Sequence, residues 1–193
     1  MTGRIYTVGH STRGFDELVG MLRTNGVTRL VDVRRFPHSR RHPQFDEAAI
    51  VSALPPDIEY QRIPQLGGRR YTPQGVASPN GAWRVKAFRD YADYMATDDF
   101  REGLDELLHL AEHDTPAIMC SEAVPWRCHR RLITDALIVA GTEVEHIMSL
   151  TSTRTAVLDP QALVEDGRLT YPPERATQER ATQERATQER ARP

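Results

Sequence analysis

Apolar positions along this chain follow two periods in alternation. Ile5 to Val8 is a short apolar run that ends in Gly9-His10-Ser11-Thr12, the pattern of a strand running into a turn. Phe15, Leu18, Val19 and Leu22 then recur at i, i+3, i+4 and i+7, the spacing of one helical face. Gly14 stands at the N-cap with Glu17 three residues on, and Asn25-Gly26 ends the helix. Leu30 to Val33 predicts a second strand. The first 33 residues therefore read as β-α-β, a unit that crosses right-handed between parallel strands.

The alternation continues. Phe36 to Phe45 has two prolines and no period, so it is a loop leaving the second strand. Asp46 opens a short helix to Leu54, and Pro55-Pro56 stops it. Ile58, Tyr60 and Ile63 mark a third strand, followed by the loop PQLGGRRYTPQG. Two helices come next, one carrying Phe88, Tyr91, Ala92 and Met95, the other Phe100, Leu104, Leu107, Leu108 and Ala111. Ala117 to Met119 is the fourth strand. A helix through Leu132, Ile133, Ala136, Leu137 and Ala140 ends at Gly141, and Val144 to Met148 is the fifth strand. Strands alternating with helices predict a single α/β domain over residues 1–173, with a mainly parallel sheet covered by helices on both faces.

Residues 174–193 break the pattern. They contain three copies of ATQER (176–190), and a five-residue period turns about 140° per repeat on a helix, so no apolar stripe forms. The expectation is a polar tail, disordered or weakly helical. With five arginines against four glutamates it is nearly neutral. The domain therefore carries the acidic balance of the whole chain, net charge −2, which argues against general attraction to nucleic acid.

No apolar run approaches the roughly 20 residues that span a bilayer, so no membrane partner is expected. The opening MTGRIYTVGH lacks the apolar segment of a signal peptide, so a cytoplasmic location is expected. Two cysteines in 193 residues make no disulfide framework; they point to redox, metal or thiol chemistry, or to burial.

Charge is uneven along the chain. Between Arg29 and Pro43 five arginines (29, 34, 35, 40 and 41) stand against one acid, Asp32, a cluster suited to anions because the guanidinium fork matches phosphate and carboxylate. Asp32, inside an apolar strand, is read as a structural partner of an arginine or an amide. Arg13, Arg23, Arg89 and Arg101 are read as solvated helix faces, Arg131 as paired by spacing with Asp135, and His38 and His42 as surface residues.

Chemistry concentrates in AIMCSEAVPWRCHRR, residues 117–131. A strand ends in Cys120, a loop carries Ser121, Glu122 and Pro125, and Cys128, His129 and Arg130 open a helix with Pro125 at its first position. Helix N-terminal amides and neighbouring arginines favour a thiolate. On the helical wheel Cys128 shares a face with Leu132, and His129 with Ile133, so both point inward. In an open parallel sheet ligands bind beyond the carboxyl ends of the strands. Four polar loops fall there: His10-Ser11-Thr12, Arg34 to Arg41, Leu66 to Arg70, and Cys120 to Arg130.

These segments resemble the DUF488 family of bacterial and archaeal proteins. IYTVGHSTRGFDELVGML, LVDVRRFPHSRRHPQF, YQRIPQLGGRR and MCSEAVPWRCHRRLI carry the resemblance, in this order, over roughly residues 4–150. Gly14, where the family often has serine, departs from it only at a helix cap. The resemblance implies a compact α/β domain and points to the same loops, without implying a reaction. The order LVDVR, then a strand ending in cysteine, a loop with arginine and a helix, is also similar to rhodanese-like sulfurtransferases and cysteine phosphatases. The interval from Cys120 to Arg127 is one residue longer than a phosphatase loop and holds no glycine.

The expected function is a thiol-dependent transferase or hydrolase acting on an anionic small molecule, phosphorylated or nucleotide-like. Cys120, Cys128, His129, Glu122 and His10 are the catalytic candidates. Ser11, Arg34, Arg35, Ser39, Arg40, Arg41, Gly67, Gly68, Arg69 and Arg130 are the substrate-binding ones. Two alternatives remain: a nucleic-acid grip by Arg29–Arg41, and a metal site of Cys120, Cys128, His129 and a distant His10. A Cys-x7-Cys-His spacing is not that of a standard zinc finger, so no residue is assigned as a metal ligand and the cofactor is left unknown.

Overall fold

In the computed structural model, residues 3–39 and 41–173 are described; Arg40 and the ATQER tail lie outside the described residues. Strand alternation sets the two layers. Along β1 (Ile5–Gly9), Ile5 joins one core while Tyr6 and Val8 join the other. Along β4 (Pro116–Cys120), Ala117 and Met119 face one side, Ile118 and Cys120 the opposite one. A period of two with both faces buried is what a central parallel strand requires.

Helices close both faces. On one side α1 (Phe15–Thr24) and α2 (Glu47–Ala53) bury Leu18, Met21, Leu22 and Ile50 with Leu30, Phe45 and Ile147. On the other, α3 (Lys86–Tyr94), α4 (Asp98–Leu110) and α5 (Arg130–Val139) bury Tyr91, Phe100, Leu107, Leu132 and Ile133 against Val31, Val33 and Ile118. Adding β2 (Arg29–Asp32), β3 (Glu59–Arg62), β5 (Val144–Ser149) and β6 (Ser152–Thr155) gives a six-stranded sheet of order β3-β2-β4-β1-β5-β6. Every pairing is parallel except the antiparallel β5–β6 edge. The α/β architecture expected from the periods is the one formed.

Connection order places the crevice. The chain leaves β1 and β2 through α1 and α2 on one face, and leaves β4 through α5 on the other. Because β4 lies between β2 and β1, loops diverge at their carboxyl ends and open a cleft there. Gly9 pairs with Cys120 in register. The ladder continues past the strands as His10 N–H donates to Cys120 O and Ser11 N–H to Ser121 O, each at 3.0 Å. A side chain at position 9 would not fit, since a Cβ there would lie 1.9 Å from Glu122 O.

Several local expectations change. Asp46 precedes α2, but its carboxylate accepts from Ser39 N–H at 2.6 Å and makes no cap bond, so it closes the preceding loop. Residues Pro125–Arg127 form a separate 3-10 turn, and Cys128 is extended (φ −132°, ψ 152°). Helix α5 therefore begins at Arg130, later than Pro125. Arg13 is not a solvated helix residue: its guanidinium donates to Gly9 O at 2.7 Å and Met148 O at 2.9 Å, tying the ends of β1 and β5. Arg131 pairs with Asp159, not Asp135, and lies over the Trp83 ring; Asp135 is buried, accepting from Tyr171 Oη at 2.7 Å. After β6, an antiparallel hairpin of β7 (Leu163–Glu165) and β8 (Arg168–Thr170) leads to the buried Tyr171.

A candidate cysteine–histidine site at the carboxyl edge of the sheet

A cavity of about 770 Å³ occupies the cleft, lined from all four loops. At its floor three atoms meet. His129 Nδ1 lies 3.6 Å from Cys128 Sγ and 3.9 Å from Cys120 Sγ, and all three atoms fall within 4.8 Å of one another. Cys120 arrives from the end of β4, and Cys128 from the extended residue after the 3-10 turn. Their side chains are almost fully buried, at 6% and 3% exposure, and both are free thiols.

The histidine is held from three sides. Its Nε2 lies 3.0 Å from Val33 O. A carbonyl only accepts, so Nε2 carries the proton and Nδ1 presents its lone pair to the sulfurs. Tyr91 packs against the ring at a centroid distance of 5.1 Å, and its hydroxyl is anchored to Leu66 O at 2.7 Å. On the third side is Gly68, where a Cβ would stand 2.8 Å from Nδ1. Glycine at 68 makes room for the imidazole.

The two thiols titrate as a pair that shares one proton. Cys120 is held well above its ordinary range, first by its hydrogen bond with Cys128 and then by burial. Burial also opposes ionisation of Cys128. The Cys120 hydrogen bond, the nearby Arg130 charge and the Arg130 amide outweigh it and bring Cys128 down to about 6. Helix-terminal amides therefore act as expected, on a residue just outside the helix.

His10 does not join this group. It is 2% exposed and stacks on Phe45 at 4.1 Å. Its Nδ1 donates to Ser11 O at 3.0 Å, leaving Nε2 to face Arg34 Nη1 at 3.4 Å. Burial above all pushes its pKa down to about 4, so it is neutral and both nitrogens are engaged. It neither reaches the sulfurs nor completes a ligand set with them.

Arg34 borders the cavity but is paired: its guanidinium binds the fully buried Asp32 carboxylate, at 2.5–3.0 Å, and Phe45 O at 2.8 Å. Tyr60 Oη also donates to Asp32, at 2.9 Å. Asp32 is thus the structural partner its position suggested. Arg130 is 1% exposed and directed away from the cavity, bonding Thr7 Oγ1 at 3.2 Å and Glu122 O at 2.5 Å. It acts on Cys128 through its charge and has no access to a ligand. Gly67 is buried beneath the Arg35 backbone, outside the lining, and Arg41 is exposed elsewhere. Arg29 is engaged by Asp114 and Glu59, which thins the patch a nucleic acid would meet.

The remaining expected residues do line the cavity: Ser11, Arg35, Ser39, Gly68, Arg69 and Glu122. Glu122 is exposed at its mouth, outside the three-atom group. Ser11 (φ 47°) and Arg69 (φ 55°) hold left-handed backbone, a conformation that costs L-residues energy and gathers at functional sites. Three further basic side chains line the cavity: Arg127, not assigned as a binding residue from the sequence, and His38 and His42, which the sequence reading placed at the surface. Arg127 was visible as a loop arginine beside the cysteines. Phe36, Val85, Ala87 and Phe88 supply an apolar wall that no local signal marked.

The molecule is thus an α/β protein of the open-sheet class with a cysteine–histidine centre under a cationic mouth. A family model described as a domain of unknown function, DUF488, matches residues 14–137. The chain belongs to that family. The match spans both cysteines, His129 and the arginine loop, while His10 and Ser11 precede it. No curated protein and no solved structure matches the chain. Among the described residues, no helix is long and apolar enough to cross a membrane.

Proposed function

We propose that this protein is a cysteine-dependent enzyme, a transferase or hydrolase, that acts on a small anionic substrate. One observation carries the reading: a buried group of two sulfurs and one imidazole nitrogen opens onto the same cavity as the unpaired-side arginines 35, 69 and 127. Arg35 uses one guanidinium nitrogen on Arg69 O at 2.9 Å, which holds two cationic side chains on one wall. An anionic head fits there, and the apolar wall of Phe36, Val85 and Phe88 suits an uncharged body, as in a phosphorylated or nucleotide-like molecule. The His129 Nδ1 lone pair is the proton acceptor nearest the sulfurs. Two free, buried thiols suit a reducing compartment, in keeping with the cytoplasm.

Calorimetric titration with phosphate, pyrophosphate and nucleoside monophosphates tests the reading. Binding is expected to weaken at least tenfold in the triple variant Arg35→Gln, Arg69→Gln, Arg127→Gln. Cys128→Ser is expected to retain anion binding while turnover of the bound compound is lost. Unchanged anion binding in the triple variant, or turnover surviving replacement of both cysteines, would defeat it.

A further inference from the structure

We propose that Cys120, Cys128 and His129 hold one zinc-class divalent ion whose fourth position opens onto the cavity. The ion site goes beyond the function just described and stands whether or not an anion is turned over; where the ion is bound, Cys120, Cys128 and His129 serve as its ligands and not as free thiols and base.

The donor set is the first ground. Two sulfurs and one imidazole nitrogen suit a borderline-soft ion that accepts tetrahedral geometry. The spacing is the second. With Zn–S about 2.3 Å and Zn–N about 2.0–2.1 Å, tetrahedral angles set the sulfur–nitrogen edge at roughly 3.5–3.6 Å. The two sulfur–nitrogen edges here are 3.6 and 3.9 Å, and all three atoms lie within 4.8 Å of one another, so the donors close onto an ion by about 1 Å or less.

The imidazole supplies the third ground. Metal-bound histidines typically give their other ring nitrogen to a carbonyl or carboxylate, which selects the tautomer and aims the ring. Val33 O does this for Nε2, and Tyr91 and Gly68 stop the ring from turning aside. The sulfurs are equally constrained. Cys120 ends a central strand hydrogen-bonded to its neighbour, and the Cys128 amide donates to Pro125 O at 3.0 Å, closing the 3-10 turn. All three donors are aimed without a ligand, so little ordering is left to oppose binding.

Among the described residues no fourth histidine, cysteine or carboxylate atom joins the group. His10, the donor nearest in chemistry, is turned to Ser11 and Arg34. Structural zinc sites are closed by four protein ligands, whereas catalytic ones keep a position for water or substrate. Since Cys120, Cys128 and His129 all line the cavity, the vacant position faces the place where an anion would enter. The two thiolates balance the ion's charge, leaving the arginine mouth free for substrate.

Cobalt(II) is the probe. The full chain, made without a metal-binding tag and reduced until both thiols are free, is titrated with cobalt(II) under a non-thiol reductant. One equivalent is expected to give thiolate-to-cobalt charge-transfer absorption and the visible bands of a tetrahedral ion, both erased by zinc. Cys120→Ser, Cys128→Ser and His129→Gln should each bind cobalt at least tenfold more weakly while keeping the wild-type circular dichroism spectrum. Protection offers a readout needing no variant: zinc should shield both thiols from alkylation, and a chelator should restore it. Absence of charge-transfer bands in the fully reduced chain, or alkylation indifferent to zinc, overturns the proposal. A chain that binds phosphate in the calorimeter but takes up no cobalt overturns the ion alone and leaves the substrate reading in place.

Discussion

Two histidines on different loops form two walls of one cavity. Both follow the carboxyl end of a central strand, and each gives one ring nitrogen to a backbone carbonyl: His10 Nδ1 to Ser11 O, His129 Nε2 to Val33 O. What the other nitrogen meets separates them. In His10 it meets the guanidinium of Arg34, itself locked to Asp32; in His129 it meets two sulfurs. The first wall is a finished polar network, closed to ligands. The second keeps an unused lone pair beside two polarizable donors, and chemistry belongs there. Residue type at the rim of a sheet therefore says less than the partner of the second nitrogen.

The largest expected effect comes from opening the finished wall. Asp32→Asn leaves Arg34, 6% exposed at its side chain, without its counter-charge. Breaking such a buried pair costs on the order of 3–5 kcal/mol, to be read from urea unfolding at pH 7. A loss below about 1 kcal/mol would mean that the pair is as solvated as a surface bridge, and the contrast between the walls would fail.

Acid should act next. Burial lowers the pKa of His10, and of His146 in β5, to about 4. Each stays neutral in the fold at pH values where the unfolded chain, near 6.5, takes up a proton. Stability therefore falls as pH drops from 6.5 towards 4, on the order of 1–2 kcal/mol per histidine at pH 5. Asp135, its carboxyl raised to about 6 first of all by burial, works in the opposite sense, because its protonated form is favoured by folding. With two imidazoles against one carboxyl, the midpoint of thermal unfolding should still decline between pH 7 and 5, and His10→Phe should flatten the decline. An unchanged slope in that variant would show His10 to be solvated.

The smallest effect sharpens the second wall. Gly68→Ala places a methyl 2.8 Å from His129 Nδ1 and should cost about 1–3 kcal/mol as overpacking. NMR of the imidazole nitrogens would show the ring displaced from Val33 O. A ring resonance unmoved in a folded variant would mean that position 68 does not hold the histidine.

Much of the fold was legible because its signals are local. Leu18 and Leu22, or Ile118 and Met119, declare helix and strand through spacing that neighbours alone decide. The site was legible in its loops and in the triad Cys120, Cys128 and His129, which stand close in sequence. Several of the errors share a cause: partners far away along the chain. Arg131 is claimed by Asp159 rather than Asp135, His10 by Arg34 and Phe45, and Arg130 by Thr7. Strand β6 has no buried residue and exists through backbone pairing with β5, so no apolar alternation marks it. The β7–β8 hairpin did carry a signal in Asp166-Gly167, whose positive φ angles of 49° and 75° are those of a tight turn that this dipeptide favours.

One last consequence concerns Val33. The group that orients His129 is its main-chain oxygen, which every amino acid possesses. No single substitution at position 33 deletes that acceptor, so mutation there is felt as a change of core volume and not as loss of aim. The direction of the imidazole is inherited with the backbone rather than with any one codon. A saturation library would accordingly find position 33 permissive to other apolar residues of similar size and position 129 intolerant, although the two make one hydrogen bond.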